Sequence, residues 1–474
     1  MAFYNELSKY GDRAALIGEE GTTITYQELE NLSNDFGKII PERELVFVLC
    51  RNIPGSVGGY LSFLAKDIVP LLLSAEINKD LLENLLSIYQ PSYLYVPEQM
   101  SQEFDKAKLL YKKYGYCLLY IDSREKVKLY PDLALLLTTS GSTGSPKLVR
   151  QSYTNIQANA ESIASYLHLD ERERPITTLP MNYTYGLSII NSHILVGATI
   201  LMTEQTLVNR NFWNFFREQE ATSFGGVPYT YEILKKLKFF HMELPSLRTF
   251  TQAGGKLPPS LHQEFAEYAE ETNKNFVVMY GQTEATARMG YLPPEYALEK
   301  KGSMGIAIPG GKLWLKDIEG NEITEADKVG ELVYEGKNVT LGYAESREDL
   351  QKGDERNGIL ETGDMAKRDK DGFFYIVGRK KRFLKIYGNR VNLDETERIV
   401  QTEYLDMDCA CAGMDDKLYV FITNQSEERR EEVQHFLSNK TGLNPIAFYV
   451  KSISEIPKSD AGKTLYIKLE EYYD

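Results

Sequence analysis

Short apolar runs alternate with helical patterns from the N-terminus to about residue 370 of this 474-residue chain. The run LVFVL at 45–49 is followed by the helix-like DLLENLLSIY at 80–89 and then by SYLYV at 92–96. Short apolar runs are typical of buried strands, and a helix between two of them allows the strands to lie parallel. The alternation therefore predicts an α/β fold with a substantially parallel sheet.

The composition excludes several classes of protein. No apolar run approaches the roughly 20 residues that a membrane helix needs, so no membrane partner is expected. The net charge of −14 disfavours broad attraction to nucleic acid. The opening residues, MAFYNELSKYGDRAAL, lack the pattern of a signal peptide, which predicts a cytoplasmic protein. The four cysteines and five histidines show no zinc spacing, and we expect reduced thiols.

The segment LLLTTSGSTGSPKLVR, at 135–150, has the composition of a phosphate-binding loop. An apolar strand precedes it, KLVRQS continues it as a second strand, and TNIQANAESIASYL at 154–167 has the spacing of a helix. Glycines let the backbone approach a ligand closely, while N–H groups, hydroxyls and a lysine contact anionic oxygens. It is not a Walker A loop, because Pro146 occupies the position of the second glycine. In PKSDAGKT, at 457–464, proline likewise replaces the first glycine.

A basic cluster, GRKKRFLKIYGNR at 378–390, interrupts an otherwise acidic chain. Taken alone it is a solvated strand or turn; its position also fits a domain junction. The tail that follows has its own strand, LYVFIT at 418–423, and its own helix, EERREEVQHFLSN at 427–439. We therefore predict a large N-terminal domain, residues 1–380, and a small α+β C-terminal domain, residues 381–474.

Several further segments accompany the TTSGSTGSPK loop in order along the chain. They are ITYQELENLSNDFG (24–37), AKDIVPLL (65–72), TQAGGKL (251–257), YGQTEAT (280–286), GELVYEGKNVTLGY (330–343), ETGDMAKRDKDGFFYIVGRKKRFLKIYGNRVNLDETE (361–397) and IPKSDAGKTLY (456–466). The ordered set resembles the adenylate-forming superfamily, which includes acyl-CoA synthetases, aryl-acid ligases, firefly luciferase and adenylation domains of peptide synthetases. The resemblance implies a multi-subdomain α/β domain with a small mobile lid. It also implies ATP-dependent activation of a carboxylic acid as an acyl-AMP.

The resemblance implies roles for individual residues. Tyr280 stacks on adenine, Asp364 accepts from the ribose hydroxyls, and Arg379 reaches the ribose or a phosphate. The complete set of ATP-binding positions is Thr139, Ser140, Gly141, Ser142, Thr143, Gly144, Lys147, Gly254, Gly255, Tyr280, Gly281, Asp364 and Arg379. Thr283 touches the α-phosphate, and Glu284 is the ligand of Mg²⁺, a cation that prefers oxygen. Lys463 bridges the reacting carboxylate and the α-phosphate, a task suited to a flexible point charge.

The C-terminal domain is implied to be a lid that first presents Lys463 and then offers a different face to a pantetheine thiol. Lys381 falls at the hinge position and Gly388 at the thiol channel. Arg382 and Phe383, which follow the hinge, are less usual for the superfamily. Hinges absorb large dihedral changes over few residues.

The acid-binding segment resembles LPMNYTYGLSIINSHILVGATI at 179–200. It lacks the aspartate that amino-acid adenylation domains use to pair an α-ammonium group, which disfavours an α-amino acid. The expected pocket residues are Asn182, Tyr183, Gly225, Gly226 and Ala253, with Gly254 and Gly255 beside them. The pair Asn182-Tyr183 resembles the corresponding residues of aryl-acid ligases. Alternatively, both side chains merely shape the wall of the acid pocket. An aryl or a short- to medium-chain acyl acid is predicted.

The acceptor thiol belongs either to free coenzyme A or to the phosphopantetheine arm of a separate acyl carrier protein, and the sequence does not distinguish between them. Two rival functions also remain. One is luciferase-like oxidative chemistry on an adenylate, which the fold permits. The other is a non-catalytic nucleotide-binding homologue, against which the presence of Glu284, Asp364 and Lys463 argues.

Overall fold

The computed structural model describes residues 2–121, 128–138, 147–386, 389–414, 416–458 and 464–473. The chain divides into two compact units: Met1–Lys312 with Tyr334–Leu360, and Leu313–Val333 with Glu361–Asp474. The second unit thus includes two stretches that precede residue 381. The domain boundary between residues 380 and 381 stays a prediction.

The helices have the caps and apolar faces that the sequence favours. The first begins after Thr25, whose hydroxyl accepts a hydrogen bond from the Glu28 N–H while the Glu28 carboxylate accepts from the Thr25 N–H. Such reciprocal bonds satisfy N–H groups that have no partner within the helix. The α-helices of the first unit are Tyr26–Ile39, Pro54–Ala65, Lys79–Tyr89, Tyr153–Tyr166, Thr184–Leu195, Arg210–Glu218, Pro228–Lys236 and Pro259–Glu271. Those of the second unit are Leu393–Glu403, Glu427–Thr441 and Tyr466–Leu469.

A mixed sheet of the first unit has a parallel centre. In spatial order its strands are Gly342–Ala344, Leu148–Ser152, Leu133–Thr138, Val69–Ser74, Leu45–Cys50, Tyr93–Pro97, Tyr116–Tyr120 and Lys108–Lys113. The four in the middle pair in parallel and the outer ones pair antiparallel. A further sheet consists of Ile200–Met202, Ala14–Gly18 and Thr23–Thr25. The predicted α/β class is confirmed.

The strand Leu45–Cys50 explains why these runs are apolar throughout. Leu45, Phe47 and Leu49 pack in one hydrophobic cluster, and the alternate positions pack in another. A strand covered on both faces buries every side chain, so it shows no polar alternation. The predicted helix and third strand of this region are also confirmed, as Lys79–Tyr89 and Tyr93–Pro97.

A third sheet of the first unit contains several predicted site residues. Its strands are, in spatial order, Ser223–Gly226, Thr249–Gln252, Asn275–Tyr280, Gly290–Tyr291 and Ile306–Ala307. The first three pair in parallel. Their carboxyl ends therefore lie side by side, and ligands of α/β proteins bind at such an edge. The predicted acid-pocket and adenine-binding segments begin at these three ends.

The remaining sheets contain the strands of the second unit. The first of them is ordered Glu322–Ile323, Gly311–Lys316, Gly330–Gly336, Ile359–Arg368 and Phe374–Arg379. The hairpin Phe383–Ile386 and Asn389–Asn392 and the sheet Cys409–Met414, Lys417–Ile422 and Phe448–Ser452 follow. The predicted tail strand and helix are therefore confirmed. All four cysteines are buried as free thiols, as expected. Within the described ranges, every helix is too short or too polar to traverse a bilayer.

A fully buried arginine anchors the segment after the GELVYEGKNVTLGY motif. The Arg150 guanidinium donates to the carbonyl oxygens of Tyr343 at 3.0 Å, Leu341 at 3.2 Å and Gly353 at 3.3 Å. It also pairs with the carboxylate of Glu355, which is half exposed. Removing hydrogen bonds to buried acceptors lowers the stability of the fold, because the carbonyls lose their donor and cannot bind water instead.

We expect Arg150→Met to lower the free energy of unfolding of the first unit by about 2 kcal/mol. Glu355→Gln is the matched control, and since that side chain is partly solvated it should cost well under about 1 kcal/mol. Urea unfolding followed by tryptophan fluorescence measures both variants. Equal losses from the two variants would contradict the role given to the carbonyl contacts.

Candidate active site

The YGQTEAT segment makes a tight turn at the end of the strand Asn275–Tyr280. A Cβ atom on Gly281 would lie 1.5 Å from the carbonyl oxygen of Ala287, so only glycine fits there. A single 3₁₀ turn follows at Thr283–Ala285 and ends at Thr286 with a φ of 63°. The turn leaves the side chains of Tyr280, Thr283 and Glu284 half buried. These are three of the predicted nucleotide and metal residues.

Glu284 is held by residues of a second predicted motif, GELVYEGKNVTLGY. The Tyr343 hydroxyl donates to Oε1 of Glu284 at 2.8 Å. The backbone N–H and the hydroxyl of Thr340 donate to the Glu284 carbonyl oxygen at 3.0 and 2.9 Å. Burial and the negative charge of Glu284 raise the pKa of Tyr343, so the phenol stays a donor at neutral pH. One carboxylate oxygen is thereby oriented.

Lys147 contacts the same tyrosine. Its Nζ lies 3.8 Å from the centroid of the Tyr343 ring and 3.5 Å from Oε1 of Glu345. The position follows from strand pairing, because Gly342–Ala344 lies antiparallel to Leu148–Ser152. Tyr343 thus contacts both Lys147, the last residue of the predicted phosphate loop, and Glu284, the predicted metal ligand. Sequence analysis identified the motif that contains Tyr343 but assigned no role to this residue.

The remainder of the YGQTEAT turn is fixed by side-chain bonds to backbone. Nδ2 of Asn338 donates to the carbonyl oxygens of Ala285 and Arg288, at 2.9 and 2.8 Å. The Thr286 hydroxyl donates in return to the Asn338 carbonyl at 2.7 Å. Bonds of this kind occupy carbonyls that a turn would otherwise leave without donors. Asn338, like Tyr343, belongs to a motif that the sequence marked without resolving its individual positions.

Asp364, predicted to bind the ribose, and Arg379, predicted to reach the ribose or a phosphate, form an ion pair in the second unit. Asp364 and Arg379 lie directly opposite each other in the antiparallel pair Ile359–Arg368 and Phe374–Arg379. Nε of Arg379 lies 2.6 Å from Oδ1 of Asp364, whose side chain is buried. The carboxylate therefore has a fixed orientation with a positive group beside it.

The predicted acid-pocket residues meet at the parallel strand ends of the first unit. Tyr183 precedes the helix Thr184–Leu195, and its hydroxyl lies 2.6 Å from the position of a Cβ atom on Gly254. The Ala253 N–H donates to the Gly226 carbonyl at 3.1 Å. The Tyr185 hydroxyl lies 3.0 Å from the Cβ position of Gly225. Asn182, which precedes Tyr183, is half buried, and Gly255, which follows Gly254, is exposed. The small residues thus keep tyrosines and backbone in close approach.

Gly254 has a φ of 83°, a conformation that costs other residues about 1–2 kcal/mol. We expect Gly254→Ala to raise the KM for the acid about tenfold, because the new methyl group displaces the Tyr183 hydroxyl. Gly255→Ala is the control, since its Cβ meets only the Pro228 ring, at 3.0 Å. Steady-state kinetics with varied acid test this, and equal KM values in the two variants would argue against it.

The remaining predicted residues fall outside the described ranges, in whole or in part. Lys463 and Gly388 do, as do the loop residues Thr139, Ser140, Gly141, Ser142, Thr143 and Gly144. The side chain of Lys381 does as well, while its backbone belongs to the 3₁₀ turn Lys380–Arg382. The residues on both sides of these segments are described. The strands Leu133–Thr138 and Leu148–Ser152 flank the phosphate loop, as predicted. The backbones of Lys458 and Thr464, which precede and follow Lys463 in the sequence, form an isolated antiparallel β-bridge.

A half-buried charge cluster lies beside the predicted hinge. The Arg382 guanidinium donates to Asp394 at 2.6 Å and to Glu397 at 2.5 Å, and it stacks 3.7 Å from the ring centroid of Tyr466. The Tyr466 hydroxyl also donates to Glu397, at 3.0 Å. Tyr466 comes three residues after Lys463. The cluster therefore connects the residue after the hinge position to the segment that carries the predicted catalytic lysine.

Known proteins share this sequence pattern and fold. A model of the AMP-binding enzyme family matches residues 3–344. The 2-succinylbenzoate–CoA ligase of Bacillus licheniformis is 27% identical over 344 residues, 71% of this chain and 70% of the relative. The 4-hydroxybutyrate–CoA ligase 1 of Metallosphaera sedula is 28% identical over 359 residues, 72% of this chain and 62% of the relative.

Solved structures extend the likeness over both units. O-succinylbenzoate coenzyme A synthetase (MenE) from Bacillus subtilis, solved with ATP and magnesium ion, covers 99% of each chain with a TM-score of 0.79 at 21% identity. At that identity the likeness establishes the fold. Because the family model spans most of the sequence, the chain belongs to the AMP-binding enzyme family. The predicted family and the predicted class of enzyme are confirmed.

Proposed function

We propose that this protein is an AMP-forming acid–thiol ligase. It adenylates an aryl or a short- to medium-chain carboxylic acid with ATP and then transfers the acyl group to a pantetheine thiol. The contact of Glu284 and Lys147 with Tyr343 supports the proposal, because it joins the lysine predicted to bind phosphate to an oriented carboxylate at the end of a parallel strand, where ligands of α/β proteins bind. Membership of the AMP-binding enzyme family supports it.

In the first step a carboxylate oxygen of the acid attacks the α-phosphorus of ATP, and the bond to the bridging oxygen of pyrophosphate breaks. Both reactants are anions, so the residues must hold them together and neutralise the charge that develops. Lys147 and the phosphate loop contact the leaving pyrophosphate. Thr283 and Lys463 contact the α-phosphate, and Asp364 binds the ribose diol. Tyr280 lies against adenine.

Glu284 fits a magnesium ion by its chemistry. Mg²⁺ binds through one or two carboxylates together with phosphate oxygens. Among the described residues no group of three or more Asp, Glu, His or Cys side chains forms a complete cage. Glu284, oriented by Tyr343, would therefore supply the protein ligand and the nucleotide the others. The ion neutralises phosphate charge when bound.

In the second step the thiol sulfur attacks the acyl carbon and AMP leaves with the bonding electron pair. The thiol proton passes to solvent. We favour free coenzyme A as the acceptor, because the relatives are named as CoA ligases. The phosphopantetheine arm of a separate carrier protein is the alternative acceptor. Lys381 at the hinge and Gly388 at the thiol channel serve the lid rearrangement that admits the thiol of either acceptor.

The experiment measures pyrophosphate release by the purified protein with Mg-ATP, with hydroxylamine as a surrogate acceptor. The acid panel contains benzoates, including 2-succinylbenzoate, and hydroxy and unsubstituted aliphatic acids of increasing length. We expect one class of acid to stimulate release, and coenzyme A to replace hydroxylamine with formation of a thioester. If a phosphopantetheinylated carrier alone replaces it, the acceptor assignment fails. Light emission or oxygen uptake would indicate luciferase-like chemistry. Absence of pyrophosphate release with every acid would favour a non-catalytic homologue.

A further inference from the structure

Arg288 is a buried cation that has no counter-charge among the residues that the structure describes. It is 3% exposed, and its Nε donates to no described residue. Within the described ranges, no carboxylate forms an ion pair with its guanidinium. An ion without a partner costs several kcal/mol to bury. Its guanidinium carbon lies 3.8 Å from the ring centroid of Tyr185, and such stacking offsets only about 2 kcal/mol of that cost.

The guanidinium lies among the acid-pocket residues. The Tyr185 ring under it makes an edge contact with the Tyr183 ring, with centroids 6.3 Å apart. Burial raises the pKa of both phenols, and the positive charge of Arg288 opposes that rise, so both rings lie within its field. Their hydroxyls approach Gly254, two residues after the strand Thr249–Gln252, and Gly225, next to the last residue of the strand Ser223–Gly226. The uncompensated charge therefore borders the space predicted for the acid.

The backbone of Arg288 is clamped from two sides. Its carbonyl oxygen accepts from Nδ2 of Asn159 at 3.1 Å and from Nδ2 of Asn338 at 2.8 Å. Tyr185 is fixed in turn, since its hydroxyl donates to the Thr251 carbonyl at 2.8 Å. A residue held in this way cannot move its charge to solvent without breaking these contacts. The guanidinium is thus preorganised to receive an anion.

We propose that Arg288 binds a second carboxylate of the acid, so that the substrate is a dicarboxylic acid. One carboxylate reacts with ATP while the other pairs with the guanidinium. The planar fork of arginine matches the two oxygens of a carboxylate. An acid with a neutral tail leaves the buried charge unpaired and is disfavoured. This inference rests on the proposed adenylation function and names the class of acid that it uses.

The test compares matched pairs of acids. Succinate, glutarate, adipate and 2-succinylbenzoate are each assayed for AMP formation beside the corresponding half-amide, which preserves the shape and removes one charge. We expect at least one dicarboxylate to exceed its half-amide in kcat/KM by about 10²-fold. Arg288→Met should abolish this preference. Arg288→Lys, which retains the charge but not the fork, should keep part of it.

A binding measurement separates this inference from the proposed function. Calorimetry of the preferred dicarboxylate should give binding to the wild-type protein that Arg288→Met lacks, with thermal unfolding and ATP binding as controls for folding. A purely structural arginine would lower the melting temperature without changing the ratio between diacid and half-amide. Equal use of half-amides by the wild-type protein, or a preference retained in Arg288→Met, overturns the inference alone. Arg288-dependent binding of the diacid without AMP formation overturns the proposed function alone.

Discussion

Replacing Lys463 by alanine should slow acyl-adenylate formation by about 10²–10³-fold, the cost of removing one charged contact to a developing anion. The lysine is predicted to bridge the attacking carboxylate and the α-phosphate. Transfer from a preformed acyl-adenylate to the thiol should be slowed much less, because the α-phosphate is by then a leaving group. Rapid-quench measurement of the two half-reactions distinguishes them.

Lys458→Ala is the matched control for Lys463→Ala. Lys458 belongs to the same segment, and its Nζ lies 3.0 Å from Oδ2 of Asp408, an exposed ion pair. Such pairs contribute little, so adenylation should change less than about threefold. If both lysines prove equally dispensable, the catalytic assignment of Lys463 is wrong. If both half-reactions of Lys463→Ala fall together, the residue supports the lid and not the first step.

Glu284→Gln should reduce adenylation by about 10²-fold and raise the magnesium concentration needed for half-maximal rate. The amide keeps an oxygen that can accept from the Tyr343 hydroxyl, so the turn should stay folded. The lost negative charge weakens the attraction for a divalent cation. A magnesium titration at saturating ATP measures the effect, and thermal unfolding checks that the variant is intact.

Tyr343→Phe separates orientation from ligation. It removes the donor to Oε1 of Glu284 and leaves both the carboxylate and the aromatic face under Lys147. We expect a loss of about tenfold, smaller than that of Glu284→Gln, with a weaker shift of the magnesium requirement. A magnesium response in Glu284→Gln identical to that of the wild-type protein would show that the carboxylate is not the ligand.

Local patterns in the sequence were enough to predict the architecture of the parallel sheet. The runs at 45–49 and 92–96 and the helix between them are confirmed because burial on both faces requires uninterrupted apolar residues. The two strands flanking the phosphate loop are also confirmed, the apolar Leu133–Thr138 for the same reason and Leu148–Ser152 although three of its five residues are polar. The pairing of Asp364 with Arg379 joins two residues that the resemblance marks separately, one for the ribose and one for the ribose or a phosphate.

Contacts between distant segments could not be predicted in this way. Arg150 occupies a polar position of a strand, yet its side chain is fully buried because the chain near Gly342 returns antiparallel to cover it. Tyr343 reaches Glu284 through that same pairing, which depends on register over nearly 200 residues. Arg288 comes two residues after the YGQTEAT motif, and its lack of a counter-charge among the described residues becomes apparent only when the surrounding side chains are known.

Adenylation by this site can be tested by mass spectrometry of the products formed from Mg-ATP and the preferred acid, without any thiol. We expect a species with the mass of the acyl-AMP, equal amounts of pyrophosphate, and no ADP. Both products should depend on Lys463 and Glu284. Formation of ADP and phosphate, or of AMP without an acyl-AMP in the presence of the acid, would contradict adenylation as the chemistry of this site.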